Sequence, residues 1–419
     1  MKNKFKYYKL KDRLLFSFHQ YSELETIGEE EVKNHNGFIY YLNKMPNLKS
    51  RGSFALSHDS MLHMEEEGLN LLMLKKDDTD CNTPNWILEK IRGRKIKSVN
   101  TNYPKWKELI EIKKKDKWKV NILALGDVGS TLAIGLRLMG GENVDEIGIY
   151  DRNINRLKRW EYELNQIREP FGEILPPPVK ALKGDEIFSC DMFVFCASKG
   201  IPPIDSKTQD VRMAQYEANS SIISQYAKMA RKSNFKGIFA VVSDPVDLLS
   251  KVVFLESNKN ETGSYDSMGL FPEQVIGYGL GVMNSRTHFY AEKSKDSMSY
   301  LREGRVFGPH GQGLIVANSI ENYDERISNY LTEKTINANK EIRAFGYKPF
   351  IAPALSSGAL SIIATIKGDW FYGSTYMGGV YMGSKSRLLP SGTEVEQLDL
   401  PELLFEKIQK TYQRLAMII

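Results

Sequence analysis

The chain has 419 residues, 42% of them apolar, with 57 lysine and arginine against 52 aspartate and glutamate side chains. That length predicts two or three domains, and the apolar share supports packed cores and excludes wholesale disorder. A surplus of +5 is too weak to indicate nucleic acid as a partner. No apolar run reaches the roughly 18 residues of a membrane span. The basic start MKNKFKYYKLKDRLLF lacks the apolar core and cleavage site of a secretory signal. Three cysteines (Cys81, Cys190, Cys196) have neither disulfide-framework nor metal-ligand spacing. Cys190 and Cys196, in or beside an apolar run, read as structural thiols. The expectation is a cytoplasmic protein without a membrane partner or a bound metal.

In chain order, Leu14 to Phe18 reads as a strand, Glu29 to Leu42 as a helix and Trp86 to Ile91 as a second helix. This part is basic: residues 1–118 hold 23 basic and 17 acidic side chains. The lysine-rich stretch around Lys113, Lys114 and Lys115, a solvated linker face, gives way abruptly to the run Val120 to Leu125. A boundary falls near residue 117, setting off an N-terminal α/β appendage (1–117). Its histidines (His19, His35, His58, His63) have no metal-like spacing.

From residue 118 the pattern alternates. Val120 to Leu125 is an apolar strand, followed by a glycine turn and the helix Ser130 to Met139. Glu146 to Tyr150 is a strand ending at Asp151, with the helix Ile154 to Ile167 after it. Met192 to Cys196 is a strand, Gln215 to Lys232 a helix, and Gly237 to Val242 a strand. Such alternation predicts βαβ units and a parallel sheet. The fold class is α/β: a Rossmann-type domain (118–245) followed by an α+β catalytic domain (246–419). Pro176 to Pro178 and residues 258–265 read as surface loops.

The turn after the first of these strands, Ala124 to Gly129 (ALGDVG), is a variant of the dinucleotide fingerprint. Gly126 lets the backbone approach a pyrophosphate, Gly129 permits close helix–strand packing, and the N–H groups at the start of the following helix face the phosphates, with Asp127 and Val128 in the turn beside them. Asp151 ends the next strand, where an acid binds ribose hydroxyls. That favours NAD, since a 2′-phosphate would be repelled; Arg152 leaves NADP open. Ala124 stands where the fingerprint has its first glycine, and Asp127 puts a carboxylate near the phosphates.

Four further segments follow: Asp210-Val211-Arg212 before Asn219, Val242 to Asp247 (VSDPVD), Ile276 to Arg286 (IGYGLGVMNSR), and Gly308-Pro309-His310-Gly311. With the glycine turn, Asp151, the later Tyr381-Met382-Gly383 and Gly392-Thr393-Glu394, and a final helix, they resemble the L-lactate/malate dehydrogenase family over roughly residues 118–419. The resemblance implies that Arg212, in a mobile loop, polarises the substrate carbonyl. Arg286 would grip the substrate carboxylate, and His310 would exchange the proton that accompanies hydride transfer with NAD. Ala197 and Asn219 would join Gly126, Asp127, Val128, Gly129 and Asp151 around the cofactor. The chemistry suits the residue types: a planar guanidinium matches a carboxylate, and an imidazole trades protons near neutral pH. His288 reads as structural. Homo-oligomers are the family default.

The departures are specific. Met283 stands where the family has the aspartate that orients the histidine, with Asn284 beside it. Asp244 stands where the family has an asparagine contacting substrate and nicotinamide. The expectation is that Asp244 takes over as partner of His310. The loop Ser198 to Val211 is about five residues longer than in the family and carries Pro202-Pro203. The substrate-selecting position therefore has no unique counterpart, and Lys199 and Lys207 become candidate contacts. The family's active-site threonine corresponds to Ala354, near Ser356 and Ser357. The reading is an NAD-dependent oxidoreductase acting on an atypical small-molecule or peptide-tethered substrate. A non-redox descendant that binds a nucleotide or serves as a scaffold stays open, as does a permanently bound, internally recycled NAD. The N-terminal unit either recruits such a substrate or acts as a stabilising or dimer-forming appendage.

Overall fold

The computed structural model describes residues 4–74, 83–110, 115–199 and 211–418, the side chains of 211–214 excepted. Six strands, β1 (Lys6–Leu10), β2 (Arg13–Ser17), β3 (Glu25–Thr26), β4 (Ile39–Asn43), β5 (Ser53–Ala55) and β6 (Ile96–Asn100), form a sheet in the order β3-β1-β2-β4-β6-β5. The expected strand at Leu14 and helix at Trp86 are present, the latter as Asn85–Arg92. The expected helix from Glu29 to Leu42 is not. It stops at Lys33, and Ile39–Asn43 becomes the fully buried β4. Ile39 is β-branched and Tyr40 and Tyr41 are aromatic, and parallel pairing with both β2 and β6 satisfies the backbone.

This sheet shares a core with the rest of the chain. Phe16, Tyr41, Phe54 and Ile87 pack in one cluster with Leu248, Met377, Leu404 and Leu415. Arg51 and Glu67 form a buried pair at 2.9 Å, and Arg51 Nη1 also donates to the Thr393 carbonyl at 3.2 Å. The Glu273 carboxylate accepts from the Gly52 amide (2.9 Å) and the Ser53 hydroxyl (2.8 Å). Apolar packing is continuous between residues on either side of the composition change near residue 117.

The alternating segments form a parallel sheet from β7 (Trp118–Leu123), β8 (Val144–Tyr150), β9 (Val179–Ala181), β10 (Met192–Phe195), β11 (Ile238–Val241) and β12 (Val275–Gly277), in the order β9-β8-β7-β10-β11-β12. That is the doubly wound 3-2-1-4-5-6 arrangement, with the order reversing between β7 and β10. Val120 to Leu123 and all of β10 are buried, as helix-covered parallel strands require. The sheet runs past the expected boundary at 245, because β12 pairs parallel with β11. After β13 (Arg305–Phe307) and β14 (Ile315–Ala317), an antiparallel pair, the chain adds β15 (Phe371–Met377), β16 (Val380–Leu389) and β17 (Gly392–Val395) to the edge beyond β12. Among the described residues no helix is long and apolar enough to cross a membrane.

Candidate active site

The glycine turn connects β7 to the helix Asp127–Met139, whose N-cap is Gly126 and which has no side-chain cap. Its first amides therefore have no intrahelical acceptor. A Cβ on Gly126 would meet nothing within 4 Å, whereas one on Gly129 would fall 2.0 Å from the Ala124 carbonyl oxygen. The first glycine leaves an open approach to the helix end, and the second lets strand and helix close on each other. Ala124 adopts φ +73°, the left-handed conformation that a glycine would take without strain.

Asp151 is only 9% exposed, and its carboxylate accepts from the amides of Leu125 and Asn153, each at 2.8 Å. Arg156 lies 3.4 Å away. The acid expected at the ribose thus also fixes the glycine turn against the end of β8. Asp127, half exposed, pairs with Lys348 at 3.1 Å, a partner with no signal in the sequence. Val128 is partly buried and Arg152 is exposed. Asn219 is 1% exposed: its oxygen accepts from the Lys199 amide (3.0 Å) and its Nδ2 donates to the Asp244 carbonyl (2.8 Å). It braces two loops. The Ala197 carbonyl accepts from Ser243 Oγ at 2.8 Å. Burial pushes the thiols of Cys190 and Cys196 up to about 12, so neither is a ready nucleophile.

His310 lies on the connection between β13 and β14, flanked by Gly308 (φ +89°) and Gly311 (φ +118°), which allow the tight path. Its Nδ1 is 2.8 Å from Asp244 Oδ1, so the expected pairing is made. A Cβ on Gly279 would come within 2.9 Å of His310 Cβ, so glycine at this position lets the imidazole approach. Arg286 projects from the helix Leu280–Ala291. Its Nη2 donates to Asn339 Oδ1 at 2.5 Å, and its Nη1 lies 3.5 Å from Met283 Sδ. Burial pulls the guanidinium below the ordinary arginine value, and the charge of Asp244 opposes that shift. The Arg212 side chain and Lys207 lie outside the described residues, as do Cys81, Lys113, Lys114, Pro202 and Pro203.

Met283 is buried among Val282, Tyr290 and Tyr300. A thioether therefore fills the place of the family's aspartate, and Asn284 accepts from the Tyr300 hydroxyl at 2.7 Å. His288 packs edge-on against Tyr300. Ser357 Oγ accepts from the Val282 amide and donates to the Gly279 carbonyl, both at 2.8 Å, and so holds the start of the helix that carries Arg286. Ala354 is buried and cannot hydrogen-bond through its side chain. Among the described residues no group of three or more His, Cys, Asp or Glu is placed to hold a metal ion.

A doubly wound sheet with a glycine turn at its centre, extended by antiparallel strands and carrying a His310–Asp244 pair, defines the class as a Rossmann-type dehydrogenase fold. No family model matches the chain. L-lactate dehydrogenase of Clostridium botulinum (strain Loch Maree / Type A3) is 27% identical over 293 residues, 68% of this chain and 83% of that one. L-lactate dehydrogenase of Treponema denticola is 28% identical over 204 residues, 49% of this chain and 58% of the relative. Among solved structures, the minor L-lactate dehydrogenase of Enterococcus mundtii superposes with a TM-score of 0.58 at 20% identity, covering 73% of this chain and 98% of its own. Malate dehydrogenase of Archaeoglobus fulgidus, solved with NADH, gives 0.57 at 19%, with 71% and 97% covered. The chain is a divergent relative of the lactate/malate dehydrogenases.

Proposed function

We propose that the chain is a nicotinamide-dependent oxidoreductase that moves a hydride to or from the hydroxy or oxo carbon of a carboxylate-bearing substrate. The observation that carries this is the 2.8 Å contact between His310 Nδ1 and Asp244 Oδ1. A carboxylate on Nδ1 fixes the tautomer that presents Nε2 to the substrate and stabilises the imidazolium formed when Nε2 takes a proton. The non-redox reading draws on the missing aspartate at Met283, and Asp244 supplies that group from another element.

The turn fits a dinucleotide: Gly126 leaves an open approach, Gly129 closes the packing, and uncapped amides await an anion. Bound there, the nicotinamide supplies the hydride acceptor or donor. This chain's own residues do the rest. Arg286 binds the substrate carboxylate in two-pronged fashion, with Asn339 and Met283 holding its plane. His310 carries the proton at Nε2, and Asp244 holds the ring. Asp151 at the end of β8 supports NAD over NADP by repelling a 2′-phosphate. We place the substrate outside simple lactate and malate, because Asp244 puts a carboxylate where the family has an asparagine that contacts substrate and nicotinamide. Calorimetry with NAD, NADH and NADP, followed by nicotinamide absorbance with a panel of oxo acids, tests the proposal. Absence of nicotinamide binding together with absence of hydride transfer overturns it.

A further inference from the structure

Gly279 is the N-cap of the helix Leu280–Ala291, and no side chain of its own caps that end. A Cβ at 279 would lie 2.9 Å from His310 Cβ, so the seat of the imidazole leaves no room for the serine, threonine or aspartate that usually caps a helix. The first amides of the helix then need an acceptor from elsewhere. Ser357 provides one: its Oγ accepts from the Val282 amide and donates to the Gly279 carbonyl, both at 2.8 Å. Ser357 is 2% exposed and lies in Pro353–Leu360, a π-helical segment of the kind frequent at functional sites. That segment is wedged between two helices. A Cβ on Gly281 would come 2.7 Å from the Ser356 carbonyl oxygen. One on Gly135, in the helix that follows the dinucleotide turn, would come 2.5 Å from Ala359 Cβ. Close packing on both sides holds the serine where the cap is needed.

We infer that Ser357 is a positioning residue for the substrate. It caps, from another element, the helix that carries Arg286 and fixes its start against the His310 loop. It thereby sets where the guanidinium meets a substrate carboxylate. This rests on the redox reading above and adds to the same site a residue that acts through Arg286.

The test titrates the full chain by calorimetry, first with NADH and then with oxamate, an unreactive acid that carries a carboxylate beside a carbonyl. Ser357→Ala should weaken oxamate binding to the NADH complex by about tenfold, the scale of a lost helix cap, while NADH affinity changes by less than about twofold. Unchanged oxamate affinity in Ser357→Ala overturns the inference. An equal loss of NADH and oxamate affinity, the mark of general loosening, also overturns it, as does no oxamate binding to the wild-type NADH complex. Where Ser357→Ala does not fold, Ser357→Cys decides by the same two affinities, because a thiol keeps the side chain's shape but donates and accepts only weakly. Failure of the redox reading is distinguishable: the wild-type chain then fails to bind NADH before any oxamate is added, and the inference falls with it. Failure of the inference alone leaves wild-type NADH binding intact.

Discussion

Asp244 Oδ1 meets His310 Nδ1 at 2.8 Å from the loop after β11, while Met283, on the helix where the family keeps its aspartate, is buried in apolar packing. Replacing Asp244 by Asn keeps the shape but removes the charge that stabilises imidazolium. Turnover should fall by roughly 10²-fold or more, the usual scale of a general acid–base contribution. The pH profile should also shift, as followed by nicotinamide absorbance. Unchanged turnover across pH removes Asp244 from the mechanism.

Arg286 is held by Asn339 and by the Met283 sulfur. Lysine at 286 keeps the charge but loses the planar fork. Arg286→Lys should raise KM for the acid substrate by about tenfold to a hundredfold, the equivalent of one charge-assisted hydrogen bond, with a smaller effect on NADH affinity. Parallel KM and NADH-binding measurements separate these effects, and an unaltered KM assigns Arg286 a structural role.

The strain at Ala124 is directly testable. A non-glycine residue in the left-handed region costs roughly 1–2 kcal/mol, partly offset in the unfolded chain by the entropy that glycine adds there. Ala124→Gly should therefore stabilise the protein by about 0.5–1 kcal/mol in urea titrations. Gly129→Ala should act oppositely, since its Cβ would sit 2.0 Å from the Ala124 carbonyl oxygen, and it should lower nucleotide affinity as the turn distorts.

Arg51 and Glu67 are almost wholly buried, at 2% and 0% side-chain exposure. Removing one partner leaves the other charge uncompensated, so Arg51→Ala should cost about 3–5 kcal/mol of stability. Deleting residues 1–117 should yield an aggregating product, because it strips the shared core around Phe16, Tyr41 and Met377. A folded, fully active remainder would establish the N-terminal unit as a dispensable appendage.

Burial pulls the Lys97 amine down to about 8, opposed by the charge of Glu273. Between that value and the ordinary 10.5, the unfolded chain holds a proton that the folded one has released. Unfolding free energy attributable to Lys97 should therefore rise with pH across this window. The difference between wild type and Lys97→Met in urea titrations from pH 8 to 10 isolates it, and a difference independent of pH contradicts it.

The strand–helix alternation, the glycine turn and the His310 loop were legible in the sequence because each is local. Apolar runs, glycines and the next strand's acid lie within one βαβ unit, and their periodicities follow from backbone geometry. The segment Ile39–Asn43 read as helix because its buried strand character comes from β2 and β6, its neighbours in space.

Which side chains meet was decided by the fold. Asp244 and His310 are 66 residues apart, and Arg286 and Asn339 are 53 apart. Asn219 reaches across 20 and 25 residues to the backbones of Lys199 and Asp244, partners its motif does not name. Sequence determined which chemical groups the chain possesses and the periodic elements that carry them. Tertiary structure decided which groups meet, because hydrogen bonds and charge pairs depend on a few ångströms that only the packed sheet and its helices define.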